Sequence, residues 1–483
     1  VSAERIRALN GAPVRPDGEY VLYWMVATRR LAWSYSLDRA LEHATRLSKP
    51  LLIFEPLNAG YPWASDRLHQ AVVDGMREHA STLAETPVGY LPYLEPRPGD
   101  GRGLLRALAA GACVVVTDDS PVFFTPDLLE AAARIESCAV EAVDSNGLLP
   151  SSLVDRTFVS AHQFRRHLQR VLPSCLADPP ARNPLESVRI PRFGALPRDV
   201  TDRWPVPSER VLGGGEALAD LAIDHSVAPT DWRGGRASAR RALDRFLTTR
   251  LSRYAEQRDD PDADTSSGLS PWLHFGHLSA HEVFDEVAAA ESWTPLRLSA
   301  KADGSRNGWW GMSASAEAFL DQLVTWRELG FAFAVREPAL DRYESLPRWA
   351  RATLEDHASD RREHVYTLEQ FAAAATHDEL WNAAQRQLLR DGVIHNYLRM
   401  LWGKKVLEWT DHPREALDIM IELNNRYALD GRDPNSYSGI FWILGRFDRG
   451  WPERSIFGKV RSMSSSATRR KVRVREYLAR YGA

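Results

Sequence analysis

Four short apolar runs in the first third of the chain, separated by amphipathic stretches, set the tightest limit on the fold. They are YVLYWMVA (20–27), PLLIFEPL (50–57), VGYLPYL (88–94) and CVVVTDD (113–119). ALEHATRL (40–47), HQAVVDGMREHASTL (69–83) and GLLRALAAG (103–111) lie between them, and DLLEAAARI (127–135) follows the last. Strands that read as unbroken apolar runs are buried on both faces. Their alternation with helical spacing predicts a doubly wound α/β domain with a parallel sheet over 1–172. A ligand of such a domain belongs beyond the strand ends. The segment GDGRG (99–103) lacks the GxGxxG spacing, and there is no Walker lysine loop, so neither a nicotinamide site nor a P-loop is expected.

A proline-rich segment at 173–207 reads as a connector draped over the surface. From 208 to 483 the pattern is helical nearly throughout, which predicts an all-α domain. Its longest amphipathic stretches are 237–258 and 316–335, and 290–315 reads as a mobile loop. A chain of 483 residues accommodates two domains of this kind.

The three cysteines, Cys113, Cys138 and Cys175, form no CxxC pair. A zinc site, an iron-sulfur cluster and a disulfide framework are therefore not expected, and no metal is. No run approaches the ~20 apolar residues of a membrane span, and 21–27 is too short for a secretory leader. A cytoplasmic protein and a monomer are expected. The net charge of −3 conceals a basic end: residues 451–483 carry nine Lys/Arg and two acids, a balance of +7. Such an end suits a polyanion, although a solvated, salt-bridged tail is the plainer reading.

The polar and aromatic content concentrates between 380 and 454. LWNAAQ (380–385), LRMLWGKKVLEW (398–409), LNNRYALDGRDPNSYSGIFW (423–442) and DRGWPER (448–454) follow one another. Trp402 and Trp409 are seven apart, so a helix sets them on one face roughly 10 Å apart. Core packing is the usual reason for such a pair. Arg399, three residues before Trp402, lies on nearly the same face and needs a partner for its charge. Asp430 or Asp433 can supply it. Upstream, TSSGLSPWLHFGHLS (265–279) places hydroxyls and backbone N–H groups at a helix start, which locally reads as an ordinary capped helix and is also a cradle suited to a diphosphate.

SGLSPWLHFGHLS, YTLEQFAAAATHDELWNAAQ, LRMLWGKKVLEW and LNNRYALDGRDPNSYSGIFW together resemble the photolyases of the cryptochrome/photolyase superfamily, in particular the class II branch acting on cyclobutane pyrimidine dimers. The resemblance is dense over 210–465 and thinner over 18–175, where VLYWM, VVVTDDSP and AVDSNGLLP carry it. It implies light-driven repair of ultraviolet-damaged DNA. Excited reduced FAD would pass an electron to a dimer flipped out of the duplex and recover it after the ring opens.

The residue roles follow by the same resemblance. Tyr254, Ser267, Gly268, Leu269 and Ser270 match positions that hold the FAD phosphates and ribityl chain. Arg399 and Asp430 match a salt bridge beside the flavin ring, with Asp433 in the same loop, and Asn424 faces flavin N5. Trp402, Trp381 and Trp409 match proximal, intermediate and solvent-exit members of an electron chain. Trp326, Trp442 and Met400 match walls of the lesion pocket. Arg449 and Trp451 match the loop that fills the gap in the stack, and Lys459 and Arg461 match phosphate contacts. An antenna chromophore of deazaflavin, folate or flavin type is a further implication for the first domain.

Three departures stand out. The usual FLEE reads Phe319-Leu320-Asp321-Gln322, so Gln322 replaces a glutamate that bonds the pyrimidine carbonyls. An amide can still donate there, and (6-4) photolyases are similar in using glutamine. The strand-following RDQRxxDN pattern reads ATRRLAWSYS (27–36), and ERPxFGKxRYM reads ERSIFGKVRSM (453–463). The alternatives to dimer repair are repair of another lesion and blue-light signalling of cryptochrome type.

Overall fold

The structure, a computed structural model, describes residues 1–207, 212 and 218–482. The chain folds into two compact units. The first comprises Val1–Leu153, Leu172–Arg241 and Leu269–Glu286; the second comprises Val154–Val171, Ala242–Gly268 and Val287–Ala483. The units are thus interleaved along the chain, whereas the sequence predicts contiguous domains. The expected helical start at 208 lies outside the described residues.

The first unit is built on a six-stranded sheet in the order β1-β6-β5-β2-β3-β4. The strands are β1 (Ile6–Ala8), β2 (Tyr20–Trp24), β3 (Leu51–Leu57), β4 (Gly89–Leu94), β5 (Ala112–Asp118) and β6 (Ala139–Val143). All neighbours pair in parallel except β1, which runs antiparallel to β6. The sheet is therefore mixed, with the four expected strands adjacent in it and β4 at one edge. Alternate residues serve opposite faces. Leu22, Trp24, Leu52, Phe54 and Val115 pack into one core, and Val21, Tyr23, Ile53, Val114 and Val116 into the other.

The expected connector is not merely draped. Val200 and Trp204 join the first of these cores, and Trp204 Nε1 donates to the Asp100 carbonyl at 3.0 Å. Order reversal falls between β2 and β5. There Asp118, at the end of β5, accepts from the backbone N–H groups of Val26, Ala27 and Thr28 at 2.8–2.9 Å.

The second unit is helical. The expected helix over 237–258 breaks after Arg236–Thr249 into a 3-10 turn, Leu251–Arg253, and a short helix, Tyr254–Gln257. At the break, Arg250 turns its guanidinium to the Ser266 carbonyl and to Asp264, at 3.2 and 2.6 Å. The stretch expected over 316–335 is helical from Ala314 to Arg336, but Asp321–Trp326 is a π-helical turn. The mobile loop expected at 290–315 is largely without regular structure, yet it is tied down. Gly304 N–H donates to Gln169 Oε1 at 2.7 Å, and Gln169 Nε2 donates to the Ser305 carbonyl at 2.9 Å.

Among the described residues no helix is long and apolar enough to cross a membrane. No disulfide joins any of the three cysteines, and Cys113 and Cys138 are buried.

Candidate active site

Two helices of the second unit carry the tryptophans. Glu379–Asp391 starts at Asp378, whose carboxylate accepts from the Trp381 N–H, and stops at Gly392 in the left-handed conformation. Asn396–Glu408 follows, with Trp409 as its C-cap. Trp381, Trp402 and Trp409 are 0, 2 and 3% exposed. Trp381 and Trp402 stack with ring centroids 6.3 Å apart and planes 6° from parallel. Trp381 meets Trp409 at 6.1 Å and 66°. Trp381 therefore lies between the other two, although its position in the sequence comes first.

Hydrogen bonds fix the rings. Trp381 Nε1 donates to the Trp402 carbonyl and Trp402 Nε1 to Gln385 Oε1, both at 2.9 Å. Trp409 itself is buried, which corrects the expectation that it reaches solvent. Tyr366 at 5.7 Å and the exposed His377 at 4.9 Å lie against it. Both belong to the motif quoted above, but nothing in its spacing singles them out.

The charge pair resolves in favour of Asp430. Arg399 Nη2 lies 2.9 Å from Asp430 Oδ1, with the side chains 21 and 14% exposed. Asp433 instead caps the helix Pro434–Ile443 by accepting from the Asn435 N–H. Asn424 lies beside this pair, its Oδ1 3.5 Å from Arg399 Nη1. Its Nδ2 donates to Ser436 Oγ at 2.7 Å and to Asn425 Oδ1 at 3.2 Å. Both amide hydrogens are spent in this orientation, and the carbonyl oxygen has one long contact only. The acceptor end is thus the available one. Asn425 locks the loop behind it, accepting from the Arg432 N–H at 2.9 Å and donating to the Tyr437 hydroxyl at 3.0 Å.

Thr265 Oγ1, Gln385 Nε2 and His395 Nδ1 are buried without a protein partner. An unsatisfied buried polar group costs about 1–3 kcal/mol, so these three, each next to an expected site residue, suit a polar ligand. Each adjoins an expected site residue: Thr265 precedes Ser267, Gln385 holds Trp402, and His395 caps the helix bearing Arg399. Tyr254 is buried edge-on against Phe319 at 5.5 Å, three residues before Gln322. Gly268 has φ +68, with open space where a Cβ would point. This segment of the second unit ends there, and Leu269 and Ser270 belong to the first. Leu269 is 1% exposed. The helix Ser270–His274 is a single turn of five residues, so its dipole adds little to a cradle.

The remaining residues form a second group. In the π-helical turn Asp321, Leu323, Val324 and Thr325 are buried, leaving Gln322 and Trp326 partly open. The helix that continues from Trp326 packs tightly on Pro434–Ile443, which holds Trp442: a Cβ on Gly330 would come within 2.7 Å of Asn435 Cα. Met400 is half-buried beside Arg399.

Arg461 bridges two indoles, 5.9 Å from the Trp442 centroid and 5.0 Å from that of Trp451. Arg449 lies 5.6 Å from Trp451, and its surface is exposed. The exposed Lys459 returns its carbonyl to the Trp451 N–H at 2.8 Å, closing the loop. Lys404, which carries no signal in the sequence, is fully buried 5.4 Å from the Trp442 centroid. Burial pushes its ammonium down to about 7, Asp448 opposing and Arg461 assisting.

No family model matches the chain. The deoxyribodipyrimidine photo-lyase of Methanothermobacter thermautotrophicus is 34% identical over 481 residues, covering 99% of this chain and 98% of its own. That of Oryza sativa subsp. japonica is 35% identical, covering 98 and 90%. A cryptochrome structure from Synechocystis matches with TM-score 0.69 at 15% identity, over 96% of this chain and 88% of that one. At such low identity this last likeness concerns the fold: an α/β sheet domain with a helical domain. The full-length likeness to the two lyases places the chain in their family: it belongs to the deoxyribodipyrimidine photo-lyases.

Proposed function

We propose that this protein is a class II photolyase that repairs cyclobutane pyrimidine dimers in ultraviolet-damaged DNA with light, holding FAD in its helical unit. The observation that carries this reading is the line Trp402–Trp381–Trp409, which begins one helical turn from the Arg399–Asp430 pair and its Asn424 neighbour. The names of its relatives support the substrate. Bound and reduced, FAD supplies the light-excited electron that opens the dimer.

The chain's residues position and tune. Asn424 offers an acceptor without adding negative charge, which suits an electron-rich ring. Arg399 supplies positive charge that Asp430 holds in place. Thr265 and Ser267, with Gly268, Leu269, Ser270 and Tyr254, hold the diphosphate and ribityl chain. The tryptophans carry an electron inward, and their burial keeps water from the path. Trp326, Trp442 and Met400 wall the flipped lesion, and Gln322 donates to a carbonyl that gains charge. Arg449 and Trp451 occupy the gap left in the duplex, whereas Lys459 and Arg461 meet phosphates. The sheet unit serves as the antenna domain on this reading.

One observation favours a second reading. Gln322 stands where dimer photolyases of this branch use glutamate, which suits the (6-4) photoproduct. The test is repair under blue light of two oligonucleotides, one holding a thymine dimer and one a (6-4) photoproduct, with dark controls. Light-dependent loss of the dimer supports the first reading and loss of the (6-4) lesion alone the second. Loss of neither, with flavin bound and reduced, rejects both and leaves a cryptochrome-type receptor.

A further inference from the structure

We propose that Asp321, Arg165 and Arg306 form a positioning clamp that sets the orientation of Gln322 toward the lesion. The inference rests on the repair reading above and adds a set of residues to it. Asp321 opens the π-helical turn and immediately precedes Gln322. Its side chain is 3% exposed, yet it carries a carboxylate. Arg165 approaches Oδ1 with Nε at 2.9 Å and Nη2 at 2.8 Å. Arg306 Nε lies 3.3 Å from Oδ2, close enough for an ion pair but without hydrogen-bond alignment.

Both arginines are themselves held. Arg165 Nη1 donates to the Gly304 carbonyl at 3.2 Å. Gln169, one helical turn further on, clasps the peptide groups of Gly304 and Ser305. Gly304 has φ +86, and a Cβ there would lie 2.8 Å from the His162 carbonyl, so only glycine lets the loop lie this close. Arg306 thus arrives on a tied loop rather than a free one.

A buried carboxylate ordinarily destabilises its surroundings unless paired. Here the pairing falls at the first residue of a turn type that is rare and concentrates at functional sites. The turn buries four of its residues and leaves Gln322 and Trp326 partly open. Fixing Asp321 fixes the backbone from which the Gln322 amide projects. Two guanidiniums against one carboxylate also leave the cluster at +1, so Asp321 does not set net negative charge beside a lesion that must accept an electron. A neutral amide at 322 fits this arrangement, since it adds no negative charge beside the lesion.

The test is a double-mutant cycle on the FAD-loaded protein: parent, Asp321→Asn, Gln322→Ala and the double variant. Three readouts are the repair rate of a bound dimer, affinity for dimer-containing DNA, and photoreduction through the tryptophans. Asp321→Asn is expected to slow repair about tenfold, the loss expected of a misplaced charge-assisted hydrogen bond. Photoreduction should hold, and affinity should change less than twofold. In the Gln322→Ala background, Asp321→Asn should cost nothing further, because the residue it positions is gone. Arg306→Gln, at a half-exposed side chain that is safer for folding, should show a smaller loss with the same non-additivity. Additive losses in both cycles overturn the clamp while leaving the repair reading intact. A parent that repairs no lesion overturns the repair reading and the clamp together.

Discussion

Each unit has a cluster of buried charge, and the two clusters are satisfied differently. In the sheet unit Glu55 is completely buried, and Arg29, His79 and Tyr90 surround its carboxylate at 2.7–2.9 Å. In the helical unit Arg399 and Asp430 are only half enclosed, and Asn424 turns its acceptor toward them at long range. Thr265, Gln385 and His395 add buried polar atoms with no protein partner. The first cluster is closed on itself and serves the fold. The second is left open, at a cost in stability that a bound ligand offsets.

The sharpest challenge to this contrast lies in the tryptophans. Trp381→Phe should reduce photoreduction of bound FAD to background, because Trp381 is the ring between the other two. Trp402→Phe should do likewise, and chemically prereduced enzyme should still repair in both. Transient absorption after a flash checks this, and parental kinetics in either variant would mean that electrons enter elsewhere.

The closed cluster predicts a pH effect. Burial opposes the charge of Glu55, but His79, Arg29 and Tyr90 outweigh it and hold the carboxyl down to about 2. A depressed carboxyl stabilises the fold fully above its unfolded value and loses that contribution as pH falls through its folded value. Stability on the order of 3 kcal/mol should therefore disappear between about pH 4.5 and 2. Thermal melts across that range should fall steeply for the parent and less steeply for Glu55→Gln. Parallel curves would show that Glu55 does not govern acid stability.

Opening the second cluster further should have a smaller effect on the fold and a larger one on the ligand. Asp430→Asn leaves a half-buried guanidinium without its counter-charge, destabilising the apoprotein by about 2 kcal/mol or less. Retention of FAD on gel filtration should fall more than the melting temperature. Equal loss of both would reduce the pair to a structural bridge.

The smallest effect concerns the basic loop. Arg461→Ala should lower the slope of log affinity against log salt by about 1 if its guanidinium meets a phosphate. An unchanged slope would confine Arg461 to packing between Trp442 and Trp451.

Much of this was legible in the sequence, for identifiable reasons. The four expected strands, β2 to β5, are continuous apolar runs bounded by turn residues, which marks them plainly. β1 spans three residues, and β6 interrupts its apolar run with Glu141, so neither has a pattern of its own. The ladder, with Trp381 in its middle, was legible as spacing and resemblance, but the burial of Trp409 depends on tertiary packing. Lys404 reads as a surface lysine in GKKVLEW, and only the fold shows it beneath Trp442. The π-helical turn leaves no periodic signature, since most residues from Ser315 to Ala334 are buried on all sides and no single face marks the phase.

Whether the open cluster of the helical unit is a flavin site is decided most directly by cofactor stoichiometry. The protein is supplied with FAD, passed through gel filtration, denatured, and the released flavin is measured against protein. One FAD per chain in the parent, with a clear deficit in Asp430→Asn, is the predicted result. A parent that takes up no FAD when it is supplied contradicts the flavin assignment.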